Sequence, residues 1–398
     1  MRRVAHAPRP DWTRRVEQEL GFTFHSPGGD PYWDESAHWE FTGAEIDLLD
    51  DAATALHALC LRACERVVER RLYDRLGLPP DVARAVEWSW RRFRAGQGER
   101  PLYGRFDLAW SGAPGSAPRM LEYNASTPTS LYEASVVQWH WLEEFAAGKD
   151  QFNGLHEALV ARWRDLAADL GGRPVHFTAQ DTGEDMGTAS YLQATAAEAG
   201  LATRLVPIGD VGFDPGDRHF YDRDGNRIEA LWSLYPPEWL IQDQDGSALL
   251  EAVTAGRLVL MEPLWKLMLT KGILPFLWEL EPGHPNLLRT SFAATGFKAG
   301  DRVVAKPLWG REGDGVEIAT LGPDGRPQGE AVGSGRARFA GAEGWVYQEH
   351  AELRRDAGGH LVLGVWMVGD EAKGMGLRED MSPITGDGSR FVPHLFEP

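Results

Sequence analysis

Two short stretches combine strand-like alternation with residues able to do chemistry. In RFDLAW, Arg105 and Asp107 fall on one face of an extended chain and Phe106 and Leu108 on the other. In MLEYN, Glu122 and Asn124 share a face, with Leu121 and Tyr123 opposite. Pairing the two strands with their polar faces aligned brings a guanidinium, two carboxylates and an amide to one patch. Carboxylate and amide oxygens are hard ligands, suited to magnesium rather than to zinc or copper. Arg105 offsets negative charge and can reach a phosphate oxygen. The competing reading is an ordinary solvated strand face. Asp and Asn are disfavoured in strands, so their clustering calls for a reason.

A second feature is VVAKPLWGREGDGVEI, a strand, a glycine-rich turn and a strand. Lys306 ends the first strand, and Gly310, Gly313, Asp314 and Gly315 follow. Backbone N–H groups in such a turn can cradle phosphates, with the lysine as a point charge. It is not a Walker A loop, because no Gly-Lys-Ser/Thr follows. Gly-rich hairpin turns are commonly structural. What sets this one apart is the lysine: only six of the 41 basic residues are Lys, so the chain uses Arg where a generic positive charge suffices. Trp345–Glu349 is an apolar strand ending in Gln348 and Glu349, which either reads an adenine edge or is a core strand with a solvated end. Lys271 in LTKGILPFLWEL and Arg378 in GMGLRED complete the set; a lone Arg after a strand is usually a surface charge.

These residues need elements to hold them. Residues 1–100 read mainly as helices: an amphipathic pattern from Ala44 to Leu76 stops at Gly77, and Asp81 caps a second helix through Phe93. The period then changes. Tyr103–Trp110 and Arg119–Asn124 alternate as a strand–loop–strand unit, and a helix follows from Ser130 to Phe145. Residues 155–208 form a βαβ pattern, with strands at Val175–Ala179 and Leu205–Ile208 around a helix from Met186 to Ala199. A hairpin turns at Asp224–Gly225. Leu258–Met261 is a strand, and a helix lies within Leu264–Leu280. From Arg302 the chain is strand-rich, at 303–306, 316–320, 345–349, 361–368 and 372–377, before a short tail.

At 398 residues the chain is too long for one ordinary core. Hydrophobic residues make up 43% and charged residues 25%, a globular composition. The net charge of -18 argues against a nucleic-acid backbone or an anionic membrane as the main partner. Residues 1–20 contain no apolar signal core and no run reaches membrane-spanning length, so the expectation is a cytoplasmic protein. Cys60 and Cys64, four apart on a helix, read as small apolar residues rather than a disulfide. Some of the 16 Trp, which cluster with Pro and Gly, are expected to line a cleft.

Together these stretches resemble the synthetase domain of the glutathionylspermidine synthase family, which are ATP-grasp ligases. The resemblance is carried by RFDLAW, LEYNASTPTSLYEA, HFTAQDTGEDMGTASYLQ, EPLWKLMLTKGILPFLWELEPGHPNLL, VAKPLWGREG, VYQEH and GMGLRED, in order across about three-quarters of the chain. It implies an α+β, ATP-grasp-type fold with permuted element order, because the carboxylates here precede the lysines. A small α/β (βαβ) subdomain and an N-terminal helical region accompany it. The expected division is 1–100, helices packed on the core; 101–150, the metal-binding strand pair and helix; 151–257, the α/β subdomain on the substrate side; and 258–398, the nucleotide-binding strands and loops.

The same resemblance implies site roles. Asp107, Glu122 and Asn124 would coordinate two magnesium ions between the phosphates of ATP, with Arg105 at the γ-phosphate. Lys271 and Lys306 would hold the α- and β-phosphates under the loop of Gly310, Arg311 and Gly313. Gln348 and Glu349 would meet the adenine, and Arg378 would stabilise the oxyanion formed as the amide is made. Ser126, Thr127 and Ser130 would lie near the acid substrate. Glu184 and Asp185 would serve the amine, or simply complement a helix dipole. The implied reaction joins a small carboxylic acid or peptide to an amine, through an acyl phosphate, with release of ADP. Relatives commonly carry an acid where Ser126 stands, and no segment here resembles their amidase, so no amidase activity is expected. Two other readings remain: a non-catalytic ATP-binding scaffold, and an amino-acid or peptide ligase with the same nucleotide site.

Overall fold

The computed structural model describes residues 1–397 apart from 312, 326, 334–343 and 387. The chain is a mixed α/β protein in which three large sheets meet around the strand pair identified above. Arg119–Asn124 and Tyr103–Ala109 form one side of a six-stranded antiparallel sheet. Gly359–Val368, Glu371–Asp380 and Arg390–Val392 follow in order, and Arg354–Asp356 pairs with Gly359–Val368. Arg105 stands opposite Asn124 and Asp107 opposite Glu122, with a bulge after Asp107. The polar faces are therefore aligned. Gly364 lies opposite Asp107 on the other side, and a Cβ there would meet Arg105 Cδ at 2.9 Å. Only glycine leaves room for the arginine to lie over the sheet.

The second sheet is five-stranded and antiparallel, in the order Thr290–Ser291, Trp345–Glu349, Arg302–Pro307, Glu317–Leu321 and Pro327–Gly333. The last strand lacks the apolar alternation that would have marked it in sequence. The third is parallel and four-stranded: Val259–Met261, Ala230–Ser233, Val175–Ala179 and Thr203–Pro207. Val259–Met261, beyond the expected boundary at 257, thus pairs with strands that precede that boundary. The hairpin around Asp224–Gly225 joins His219–Tyr221 to Arg227–Ile228.

Several local expectations are corrected by backbone geometry. The long helix spans Gly43–Arg70, opened by a capping box between Thr42 and Glu45. It ends early because Arg71 turns left-handed at φ 54° and returns its N–H to the last turn; Tyr73–Leu76 is a separate 3-10 turn. Asp81 does not cap the next helix, Pro80–Arg94, since Pro80 already occupies the first turn and places Asp81 inside it. The segment before Phe145 contains a π-helical turn, Glu133–Val137, before Gln138–Phe145. The N-terminal region is not all helix. Arg2–Ala5 and Ala37–Thr42 form a three-stranded sheet with His394–Glu397, so the expected tail is built into the fold.

Burial explains half of the 16 tryptophans: Trp33, Trp39, Trp90, Trp141, Trp163, Trp232, Trp265 and Trp366 are fully enclosed and serve the core. Trp309 does line a pocket, as expected of some of them. Cys60 and Cys64 are likewise buried in the Gly43–Arg70 helix, and burial pushes both thiols up, so neither is a nucleophile. Lys266 answers to structure too. It is buried against Glu262 and donates to the carbonyl of Tyr103 at 2.7 Å, while Glu262 accepts from the N–H groups of Leu102 and Tyr103. That pair pins the start of the Tyr103–Ala109 strand. No helix of the described residues is long and apolar enough to cross a membrane.

His394 joins the C-terminal strand to the helix after the site. Its Nδ1–H donates to Gln138 Oε1 at 3.0 Å and its Nε2 accepts from the N–H of Phe152 at 3.2 Å. Burial pushes this imidazole down from 6.5 to about 3, so the folded chain needs it neutral. A folded pKa below the unfolded one leaves stability intact above pH 6.5 and removes it as pH falls from there toward 3. Between pH 7 and pH 5 this one group costs about 2 kcal/mol. Urea unfolding at those two pH values is expected to show wild type losing about 2 kcal/mol more than His394→Gln; equal losses would remove His394 as an acid-sensitive element.

Candidate active site

The aligned polar faces form the floor of a pocket whose opposite wall is the five-stranded sheet. At its centre is Asp107. Arg105 grips it with two bonds, Nε to Oδ1 at 2.7 Å and Nη2 to Oδ2 at 3.1 Å. Arg378 reaches Oδ2 at 2.8 Å from the Glu371–Asp380 strand, across the intervening Gly359–Val368 strand. Arg378 is therefore no surface charge. Asn124 Nδ2 lies 3.1 Å from Asp107 Oδ2 and 3.2 Å from Glu122 Oε1, so the amide joins the two carboxylates.

The lysines arrive from other elements. Lys271 sits just before the Ile273–Leu280 helix; its Nζ is 3.1 Å from Glu122 Oε2 and donates to the carbonyl of Gly310 at 2.6 Å. Lys306, at the end of the Arg302–Pro307 strand, donates to the carbonyl of Leu121 at 2.9 Å. Burial acts against charge at both Glu122 and Lys306. The two lysines nevertheless hold the Glu122 carboxyl down at about 2. Burial, aided by Lys271 and opposed by Glu122, lowers the Lys306 ammonium to about 8. Burial and the adjacent Arg105 also lower Arg378, with Asp107 opposing.

The glycine-rich turn closes one end of this cluster. Gly310 lends its carbonyl to Lys271, and a Cβ there would meet Pro307 Cγ at 2.8 Å. Gly313 has φ 74°, and a Cβ would meet the Thr385 carbonyl oxygen at 2.8 Å. Both positions require glycine. Arg311 crosses to Thr127 Oγ1 and lies 3.3 Å from Glu238. The intervening residue 312 lies outside the described residues. Gln348 and Glu349 line the far end. Gln348 donates to the carbonyl of Met120 at 3.2 Å, leaving Oε1 buried with no partner among the described residues. Such an acceptor is costly unless something donates to it.

The remaining expected residues are spread more widely. Ser126 and Thr127 line an adjoining pocket with Lys271 and Trp309. Ser130 is buried behind the floor, bonded to Tyr32. Glu184 and Asp185 line neither of these two pockets. They lie within the helix, not before it: it starts at Gly183, because Thr182 accepts from the N–H of Asp185 and caps it. Burial raises the Asp185 carboxyl, opposed by Thr182 and by Arg311. The sequence reading missed Tyr32 and Glu133, which bond at 2.8 Å beside Ser130. Glu133 lies in the quoted SLYEA run and could have been flagged as an acid in an apolar helix; Tyr32 carries no periodic signal.

The donor set fits magnesium. Glu122 is ionised, Asp107 and Glu122 sit directly across the strands, and Asn124 touches both. All offer hard oxygen ligands. Four cations surround these two carboxylates, an excess suited to polyphosphate.

Comparisons with known proteins identify the family. Residues 3–397 match the family described as glutathionylspermidine synthase preATP-grasp. A Haemophilus influenzae protein named "Putative acid--amine ligase" is 38% identical over 100% of both chains. Trypanothione synthetase of Crithidia fasciculata is 30% identical over 78% of this chain, which spans 50% of that enzyme's length. The bifunctional glutathionylspermidine synthetase/amidase of Escherichia coli is 24% identical over 92% of this chain and 59% of its own. A glutathione synthetase-like effector of Globodera pallida shares the fold, with TM-score 0.53 at 11% identity over 98% of this chain and 100% of its own. A match that runs almost end to end, through every strand and loop described above, makes this chain a member of the glutathionylspermidine synthase family.

Proposed function

We propose that the protein is an ATP-dependent, ADP-forming acid–amine ligase of permuted ATP-grasp architecture, which activates a carboxylic acid as an acyl phosphate and passes it to an amine. One observation carries this reading: Asp107, Glu122 and Asn124 share one polar patch with Arg105, Arg378, Lys271 and Lys306. A nucleotide scaffold would need the lysines and the glycine-rich turn; it would not need Arg378 bonded to the same carboxylate as Arg105. The named relatives are ligases or synthetases, which supports the catalytic alternative.

In this reading Asp107, Glu122 and Asn124 hold magnesium, one or two ions, which would neutralise phosphate charge and orient the triphosphate. Lys271 and Lys306 hold its α- and β-phosphates beneath Gly310, Arg311 and Gly313, and Gln348 and Glu349 meet the adenine. Gln348 Oε1, buried and without a partner among the described residues, is an acceptor for an exocyclic amine. Arg105 lies at the γ-phosphate. A carboxylate oxygen of the acid attacks the γ-phosphorus, and the bond to the β-phosphate oxygen breaks as ADP leaves. The amine nitrogen then attacks the acyl carbon, Arg378 stabilises the oxyanion, and inorganic phosphate departs. Catalysis of the first step is positioning and charge neutralisation.

The second step needs a neutral amine. An alkyl amine with a pKa near 10 is about 0.1% neutral at pH 7, a deficit of about 4 kcal/mol. Glu184 and Asp185 are the proposed ammonium partners, with Ser126, Thr127 and Ser130 on the acid side. Asp185, raised by burial, suits a proton acceptor better than an exposed carboxylate would.

Two measurements test the proposal. A matrix of acids, peptides and amines assayed for ADP release, with mass analysis of the product, should identify a substrate pair. With that pair, Asp107→Asn should lower ADP release by about a hundredfold or more while the fold survives; turnover at the wild-type rate would rule out the metal assignment. Separately, Glu184→Gln with Asp185→Asn should raise the KM for the amine by about tenfold and leave that for ATP unchanged. An unchanged amine KM and turnover would reduce the two acids to helix-dipole partners.

A further inference from the structure

Behind the floor of the site lies a buried polar chain in which Tyr32 and Glu133, unused by the roles above, bracket Ser130. Tyr32 is 7% exposed, Ser130 4% and Glu133 3%. The Tyr32 hydroxyl donates to Glu133 Oε1 at 2.8 Å, so its oxygen is left to accept from Ser130 Oγ at 3.0 Å. Ser130 has φ 67°, a left-handed conformation that an L-residue keeps only when its surroundings hold it there. That angle sets the tilt of the peptide plane joining Thr129 to Ser130. The carbonyl in this plane accepts from Arg105 Nη1 at 2.6 Å. Arg105 Nε and Nη2 are already spent on Asp107, so Thr129 O fixes the third nitrogen of the guanidinium.

Tyr32 is itself anchored to the other arginine's strand. Its carbonyl accepts from the N–H of Phe391 at 2.6 Å, and Phe391 stands opposite Arg378 in the sheet. Its ring packs edge-on to Phe24 with centroids 5.1 Å apart. A residue from the N-terminal region is thus linked through Ser130 to the partner of the Arg105 guanidinium, and by its backbone to the strand paired with that of Arg378, without lining the pocket over Asp107 or the adjoining one.

We propose that Tyr32 and Glu133 are positioning residues for Arg105: by holding Ser130 left-handed they aim the Thr129 carbonyl at the guanidinium and fix its plane over Asp107. The guanidinium is a planar fork, so a tilt of that plane moves the donors meant for a phosphate oxygen while leaving the charge in place. The inference rests on the reading of Arg105 as the partner of the terminal phosphate.

The test is calorimetric titration of the full chain with magnesium-ATP and magnesium-ADP. Wild type should favour ATP, and Arg105→Ala should collapse that preference. Tyr32→Phe, which removes one hydroxyl, should lower ATP affinity by about tenfold and shift ADP affinity by less than about twofold. Added to Arg105→Ala it should have no further effect, because the two act in one chain. Equal loss of both nucleotides, no loss of either, or a full additional loss on the Arg105→Ala background overturns the proposal. If a thermal melt shows Tyr32→Phe poorly folded, Ser130→Ala must give the same ATP-selective loss. A wild-type chain that binds neither nucleotide overturns the nucleotide-site reading and this inference with it. Nucleotide binding without an ATP-selective effect of Tyr32→Phe overturns this inference alone.

Discussion

The buried carboxylate of Asp107 is the constraint on which the rest of the site depends. An ionised carboxylate placed between sheets is expensive unless paired and hydrogen-bonded. Here Arg105 meets both of its oxygens, Arg378 and Asn124 share the second, and every partner comes from the same six-stranded sheet. The two arginines are as dependent on the acid as it is on them. Burial and mutual repulsion bear on Arg378, and Asp107 offsets both. Geometry around this centre is correspondingly tight, and Gly364 is the clearest sign: the sheet gives up a side chain so that Arg105 can lie across it.

A second, looser pairing governs the neighbouring acid. Glu122 faces Lys271 and lies near Lys306, and neither lysine belongs to the sheet that carries Glu122. Lysine is a point charge on a flexible stem, so such contacts can be exchanged for phosphate oxygens with little rearrangement. Arginine's fork suits the tightly bonded half of the site, and lysine's flexible stem the looser one. The chain keeps to this division while using lysine only six times. Lys266, spent on a buried structural pair, is the exception among the three lysines nearest the site.

The glycine-rich turn and Arg311 connect these halves to the rest of the molecule. Arg311 spans Thr127 and Glu238, so the loop after Arg119–Asn124, the glycine-rich turn and the Pro237–Gln242 helix between two strands of the parallel sheet share one contact. The Tyr32 chain does the same from behind, carrying the N-terminal region into the geometry of Arg105.

What the sequence alone determined was local. Alternation put Arg105 with Asp107 and Glu122 with Asn124 on common faces, since side chains two apart in a strand must point the same way. The scarcity of lysine marked Lys271 and Lys306, and the ordered motifs marked the family. Helix ends were less legible: Arg71 stops a helix by a left-handed backbone angle that no residue pattern marks, whereas Thr182 starts one with a threonine cap that the pattern did offer. Tertiary structure decided which strands meet. The Pro327–Gly333 strand, the C-terminal strand beside Ala37–Thr42, and the pairing of Val259–Met261 all depend on partners distant in sequence. It also decided that Arg378, half-buried, is bonded to Asp107 and that Tyr32 stands behind Ser130. Periodicity records which way a side chain faces along its own element; it holds no record of what waits on the other side, and pairing between elements hundreds of residues apart is settled only by burying both against the same core.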